Sequence, residues 1–98
     1  MKISTDKQGN ALTIALEGKL DTTTSPELEA CVEENLSGVT ELTFDMKELE
    51  YISSAGLRVL LSAQKKMSKV GQMEVINVNE TIMEVFEVTG FVDILDIK

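Results

Sequence analysis

The chain is expected to fold as one α/β domain, residues 1–98, built on a mostly parallel, mixed sheet of four to five strands with three main helices, the sheet being opened by an antiparallel hairpin. Three observations carry that expectation. Short segments of alternating apolar residues are interleaved with longer segments whose apolar residues recur at helical spacing. Each helical segment begins at a serine, threonine or asparagine and closes near a glycine. No repeat, low-complexity tract or Pro/Gly-rich linker divides the chain.

Ile3 to Asp6 and Ala11 to Glu17 read as short strands, the second with Leu12, Ile14 and Leu16 on one face, and Lys7-Gln8-Gly9-Asn10 turns between them as a hairpin. Thr22-Thr23-Thr24-Ser25-Pro26-Glu27 starts the first helix. Thr24 or Ser25 is expected to cap the orphan amides, and Pro26 occupies the first turn, where no hydrogen bond is lost. Leu28, Cys31, Val32 and Leu36 then form one apolar stripe, which Gly38 ends. Glu41 to Asp45 is the third strand. After a loop running through Tyr51, a second helix carries Leu57, Leu60, Leu61 and Met67 at helical spacing until Gly71. Met73 to Val78 is the fourth strand. Asn79 is placed to cap a third helix in which Ile82, Val85 and Phe86 face inward and Gly90 takes the left-handed closing position. Phe91 to Ile97 is an apolar tail expected to pack as an edge strand or turn.

Right-handed crossovers should join strands two, three and four. The loops leaving strands two and three then emerge at the carboxyl edge of parallel neighbours, where α/β proteins usually place their sites. Asp21 and the Ser53-Ser54 pair share that rim. Helix N-termini point to it as well, so its partial positive charge suits a phosphate. Ser53 and Ser54 stand where a loop turns into a helix, and a hydroxyl there either caps the helix or is open to phosphorylation.

Composition narrows the functions available. The net charge of −8, from 9 basic and 17 acidic residues, argues against binding nucleic acid or an anionic membrane surface through simple electrostatics, and no direct membrane insertion is expected. A basic or neutral protein partner fits better. The charge is uneven: Asp21 to Glu50 holds one cation, Lys47, whereas residues 51–70 hold Arg58, Lys65, Lys66 and Lys69 and no acid, a pattern expected of a solvated helix face. The longest apolar runs are short and the N-terminus lacks a signal-peptide pattern, so the chain is read as cytoplasmic. The single cysteine, Cys31, is expected to be a small core residue.

The absence of histidine removes the commonest general base, phosphocarrier and metal ligand together. Neither a Gly-x-Ser-x-Gly elbow nor a glycine-rich phosphate loop is present. An enzyme is therefore not expected. What remains is a small acidic module with an exposed serine, suited to regulation by added charge. Phosphorylating Ser54 adds about −1.5 to −2 charges and three acceptor oxygens. At a helix N-terminus such an anion is favoured, by about 0.3–1 kcal/mol; forced against an apolar or acidic partner it is expensive to desolvate.

Gly18-Lys19-Leu20-Asp21, then Phe44-Asp45-Met46 with Leu49, then Tyr51-Ile52-Ser53-Ser54-Ala55-Gly56-Leu57, followed by Gly71, the Ile82/Phe86 helix and Thr89-Gly90-Phe91, resemble the STAS domain of bacterial anti-sigma factor antagonists over essentially the whole chain. In that family the loop-to-helix motif is commonly Asp-Ser-Ser/Thr-Gly-Leu, with phosphorylation on the serine after the aspartate. Here that serine is Ser54; Ser53 takes the aspartate position, Ala55 the following hydroxyl position and Gly56 the glycine. Ser53 thereby removes a fixed charge and adds a second candidate hydroxyl.

The resemblance implies partner switching. An anti-sigma factor that is also a serine kinase of the histidine-kinase-like ATPase type phosphorylates the antagonist, which then lets go; a PP2C-type serine phosphatase reverses the modification. Asp21, Ser53, Ser54, Gly56 and Leu57 are implied as partner-binding, and the chain needs no cofactor or metal of its own. The alternative within the same fold is a non-switching STAS binding subunit of an ABC-type lipid transport complex, or a signalling scaffold.

Overall fold

Leu12, Leu42 and Met73 stand side by side on three neighbouring parallel strands, as do Ile14, Phe44 and Val75, and these in-register apolar rows form the floor of the core. The computed structural model describes residues 1–98. Its elements run β1 (Lys2–Gln8), β2 (Ala11–Leu20), α1 (Ser25–Asn35), β3 (Glu41–Ile52), α2 (Ser54–Met67), β4 (Gln72–Ile76), α3 (Glu80–Thr89), a 3-10 turn (Phe91–Asp93) and β5 (Asp96–Ile97). The sheet order is β1-β2-β3-β4-β5, with β1 antiparallel to β2 and every other pair parallel. The expected fold class holds, and the apolar tail supplies the fifth strand.

The main departure is in β2 and β3, expected to end at Glu17 and Asp45. Both continue to the rim, as far as Leu20 and Ile52. Register shifts fall between Ala15 and Glu17 and between Gly18 and Lys19, and β3 contributes the extra residue each time. Buried positions in β3 consequently pass from a spacing of two, at Leu42, Phe44 and Met46, to a spacing of three, at Met46, Leu49 and Ile52. A bulged strand loses the alternation that identifies it in a sequence.

Helix ends follow local chemistry. Asn79 Oδ1 accepts from the Ile82 amide at 2.9 Å, and Asn79 Nδ2 donates to Leu49 O at 2.9 Å, tying α3 to β3. Gly90 closes α3 at φ 80, as expected. Ile82 and Phe86 are fully buried, while Val85 packs against the core only partly. α2 buries Leu57, Val59, Leu60, Ala63 and Met67. It ends at Met67 rather than running to Gly71, with the Ser68 amide donating to Gln64 O.

Cys31 does not belong to the core. α1 packs chiefly on α2, so a narrow stripe of Leu28 and Val32 is enough to bury it, and Cys31 stays half-exposed beside Asn35. Partial burial, then the carboxylates Glu34 and Glu27, push its thiol pKa up, opposite to the shift that makes a cysteine reactive. The uneven charge along the chain also finds its place: acidic α1 lies beside basic α2, and Glu33 meets Lys66 at 3.8 Å on the surface. An exposed pair of this kind contributes about 0–1 kcal/mol. No helix is long and apolar enough to cross a membrane.

Candidate functional site: the serine rim

β2 and β3 end as neighbours, with Leu20 opposite Ile52, and the Ser53 amide donates to Leu20 O at 2.9 Å. That bond holds the Asp21 loop and the Ser53-Ser54 turn together, as expected from the parallel topology. The chain then turns into α2. Ser53 is extended, at φ −97 and ψ 176, and is the N-cap; its carbonyl accepts from the Leu57 amide at 3.0 Å, and its Oγ accepts more weakly from the Gly56 amide at 3.5 Å.

The two hydroxyls are thereby separated in role. Ser53 is half-buried and faces its own helix, whereas Ser54 is the first helical residue, is exposed, and makes no hydrogen bond through its Oγ. A nucleophile approaching phosphate needs a free hydroxyl, and only Ser54 offers one without uncapping α2. Gly56 and Leu57 are buried behind the serines. A Cβ on Gly56 would stand 2.7 Å from Leu20 Cγ and 2.9 Å from Ile52 Cγ1, so the missing side chain is what lets α2 press against the strand ends. These two residues present almost no surface to a partner; they support the turn.

Asp21 organises the neighbouring loop. Its Oδ1 accepts from the Thr23 hydroxyl at 2.7 Å and from the Thr23 and Thr24 amides at 3.0 and 3.1 Å. Neither Thr24 nor Ser25 caps α1 as expected. Thr24 is the N-cap by position but makes no side-chain cap bond: its Oγ1 accepts from the Asp21 amide at 2.8 Å and donates to Lys19 O at 2.8 Å, while Ser25 Oγ donates to Asp21 O. The first-turn amides of Glu27 and Leu28 donate instead to the Thr24 carbonyl, at 3.1 and 3.3 Å, and the charged Asp21 carboxylate gathers the amides just before the helix. The Asp-x-Thr-Thr spacing was the available signal.

The Thr23 hydroxyl, then the Thr24 amide, hold the Asp21 carboxyl below its ordinary pKa of 3.8. A depressed folded-state pKa contributes stability above the unfolded value, and that contribution is lost as pH falls through the folded value. Stability of the wild type relative to Asp21→Asn should therefore be constant near neutrality and shrink as pH falls below about 3.8, in urea titrations of both proteins. A difference that stayed flat down to pH 2 would remove Asp21 from the loop's stability.

Beside the rim an open groove of about 380 Å³ separates α1 from α2, with Thr22, Pro26 and Glu29 facing Ala55, Arg58 and Ser62. The sequence marks Arg58 only as part of a solvated basic face. Its nearness to Ser54 follows from their i,i+4 spacing on α2, but its place opposite Pro26 and Glu29 depends on the crossing of the two helices, for which the sequence carried no separate signal.

The model of the STAS domain matches residues 2–98. BtrV of Bordetella bronchiseptica, named as an anti-sigma factor antagonist, is 33% identical over 99 residues, covering 99% of this chain and 85% of its own. The anti-sigma-B factor antagonist of Bacillus subtilis is 29% identical, over 100% of this chain and 93% of its own. Among solved structures, an anti-sigma factor antagonist from Mycobacterium paratuberculosis superposes with a TM-score of 0.89 at 18% identity, covering 98% of this chain and 83% of that one. The phosphorylated form of the Bacillus cell fate determinant SpoIIAA superposes at 0.78 and 19%, covering 99% and 91%. A rim built where two parallel strands end, the Ser-Ser-Ala-Gly-Leu turn on it and a family match across nearly every residue lead to one assignment: the chain belongs to the STAS domain family.

Proposed function

We propose that this protein is an anti-sigma factor antagonist that works by partner switching, with Ser54 as the phosphorylated residue. The observation that carries the reading is the free, exposed Ser54 hydroxyl on the rim beside Asp21, in a chain whose relatives are named anti-sigma factor antagonists. Unphosphorylated, the rim binds an anti-sigma factor that is also a serine kinase, and the sigma factor is freed.

The kinase supplies ATP, metal ion and catalytic base. The bond between the γ-phosphorus and the ADP oxygen breaks, Ser54 Oγ bonds to phosphorus, and the hydroxyl proton passes to the kinase's base. This chain contributes position: Ser53 caps α2 and holds the strand ends together, and Gly56 lets the helix sit close, so that Ser54 is presented at a defined place. The product carries about −1.5 to −2 charges on a surface the partner must desolvate, and the complex dissociates. A PP2C-type phosphatase restores the hydroxyl by directing water onto phosphorus, releasing inorganic phosphate.

Incubation with an anti-sigma factor kinase of the histidine-kinase-like ATPase type, ATP and magnesium, followed by mass spectrometry of the peptide spanning residues 51–58, is expected to place one phosphate on Ser54. Phosphate found only outside the Ser53-Ser54 pair would sink the proposal.

A further inference from the structure

Arg58 is the cation nearest to Ser54 along α2, and no carboxylate lies within ion-pairing distance of it; the salt bridges of the molecule are Lys66 with Glu33 and Lys98 with Asp96. Residues four apart on a helix lie on one face, about 5–6 Å apart at their Cβ atoms. Helical side chains lean toward the N-terminus of their helix, so a long side chain at position 58 extends back over the turn that begins at Ser54. Both residues are exposed.

The surroundings leave that cation without an anion. The first turn of α2 contains no acidic residue, whereas the first turns of α1 and α3 contain Glu27 and Glu80. Glu29 of α1 lines the same groove as Arg58 but does not pair with it, and Asp21, whose Oδ1 accepts from Thr23 and Thr24, is in no ion pair either.

From this we infer that Arg58 receives the phosphate of phosphorylated Ser54 within the same chain, through charge-assisted hydrogen bonds from the planar guanidinium fork to two phosphate oxygens. The inference rests on the reading of Ser54 as the phosphorylated residue. Its consequence is that modification changes the rim twice: it adds a negative group and withdraws Arg58 from the groove between α1 and α2. A partner that uses Arg58 as a contact loses that contact in the same event. Aspartate at position 54 reproduces this poorly, since its side chain is shorter and presents two oxygens on a single charge.

The test installs phosphoserine at position 54 by codon reassignment in the full chain and follows its second ionisation by phosphorus-31 NMR. Wild type, Arg58→Lys and Arg58→Gln are compared. The pKa in the wild type is expected to lie about 0.3 unit below that in Arg58→Gln, the size an exposed i,i+4 ion pair allows. Arg58→Lys should recover part of the shift, and 1 M salt should abolish it. Glu29 and Asp21 are common to all three proteins, so the difference isolates residue 58. Equal values in wild type and Arg58→Gln would overturn the inference while leaving the binding switch intact. Failure of the switch itself would appear elsewhere, as a phosphoserine-54 protein that still holds its partner.

Discussion

Ser54→Asp is expected to lower affinity for the proposed anti-sigma partner more than tenfold, at least about 1.4 kcal/mol, whereas Ser54→Ala should bind like the wild type. The asymmetry follows from where the side chain sits. Ser54 is exposed and its Oγ has no partner, so removing the hydroxyl leaves nothing unsatisfied in the free protein. A carboxylate at that place must instead be desolvated against the partner surface. Calorimetric titration of both variants into the kinase measures the difference. Thermal unfolding separates it from misfolding, because an anion in the first turn of a helix is favoured by about 0.3–1 kcal/mol and α2 has none of its own. Ser54→Asp should therefore melt no lower than the wild type. Equal affinities for the two variants would leave Ser54 as a purely structural residue of the turn.

Gly71→Ala is expected to be the most damaging single methyl group in the chain. A Cβ at this position would collide with the backbone carbonyl of Thr40, and neither side has a flexible end that moves away cheaply. The Gly71 amide donates to Met67 O at 2.7 Å, the Gln72 amide to Thr40 O at 2.8 Å, and the Thr40 amide to Asn10 O at 2.9 Å. This relay sets the starting level of β2, β3 and β4, so displacing Gly71 disturbs the register on which the core rows depend. Overpacking typically costs about 1–3 kcal/mol; with backbone on both sides, about 3 kcal/mol or more is expected, lowering Tm by about 12 °C or more. Gly38→Ala is the control: its Cβ meets nothing within 4 Å, and the left-handed φ alone costs about 1–2 kcal/mol. Urea midpoints that rank Gly38→Ala as the more damaging would contradict the role given to Gly71.

Much of this was readable from local chemistry. Asn79 and Gly90 bracket α3, and the Leu12/Ile14/Leu16 alternation marks β2, because caps and periodicities act between residues a few positions apart. β3 was read short because its bulges changed the spacing of buried residues from two to three, and only pairing with β2 reveals that Leu49 and Ile52 continue the strand. Cys31 was misplaced for a related reason: apolar spacing says which residues share a face, not how much of that face a neighbouring helix covers.

At the site, residue order alone was enough to show that two adjacent hydroxyls open a helix, that Asp21 lies on the same rim, and that the chain has no histidine. The tertiary structure gave the two hydroxyls different surroundings. The Ser53 amide is committed to Leu20 O on the neighbouring strand, which turns the Ser53 side chain back onto α2 and leaves Ser54 outside. It also brought Arg58 to the groove beside Asp21's loop. Both outcomes depend on the parallel pairing of β2 with β3 and the packing of α1 on α2, contacts between segments some thirty residues apart that no local pattern encodes.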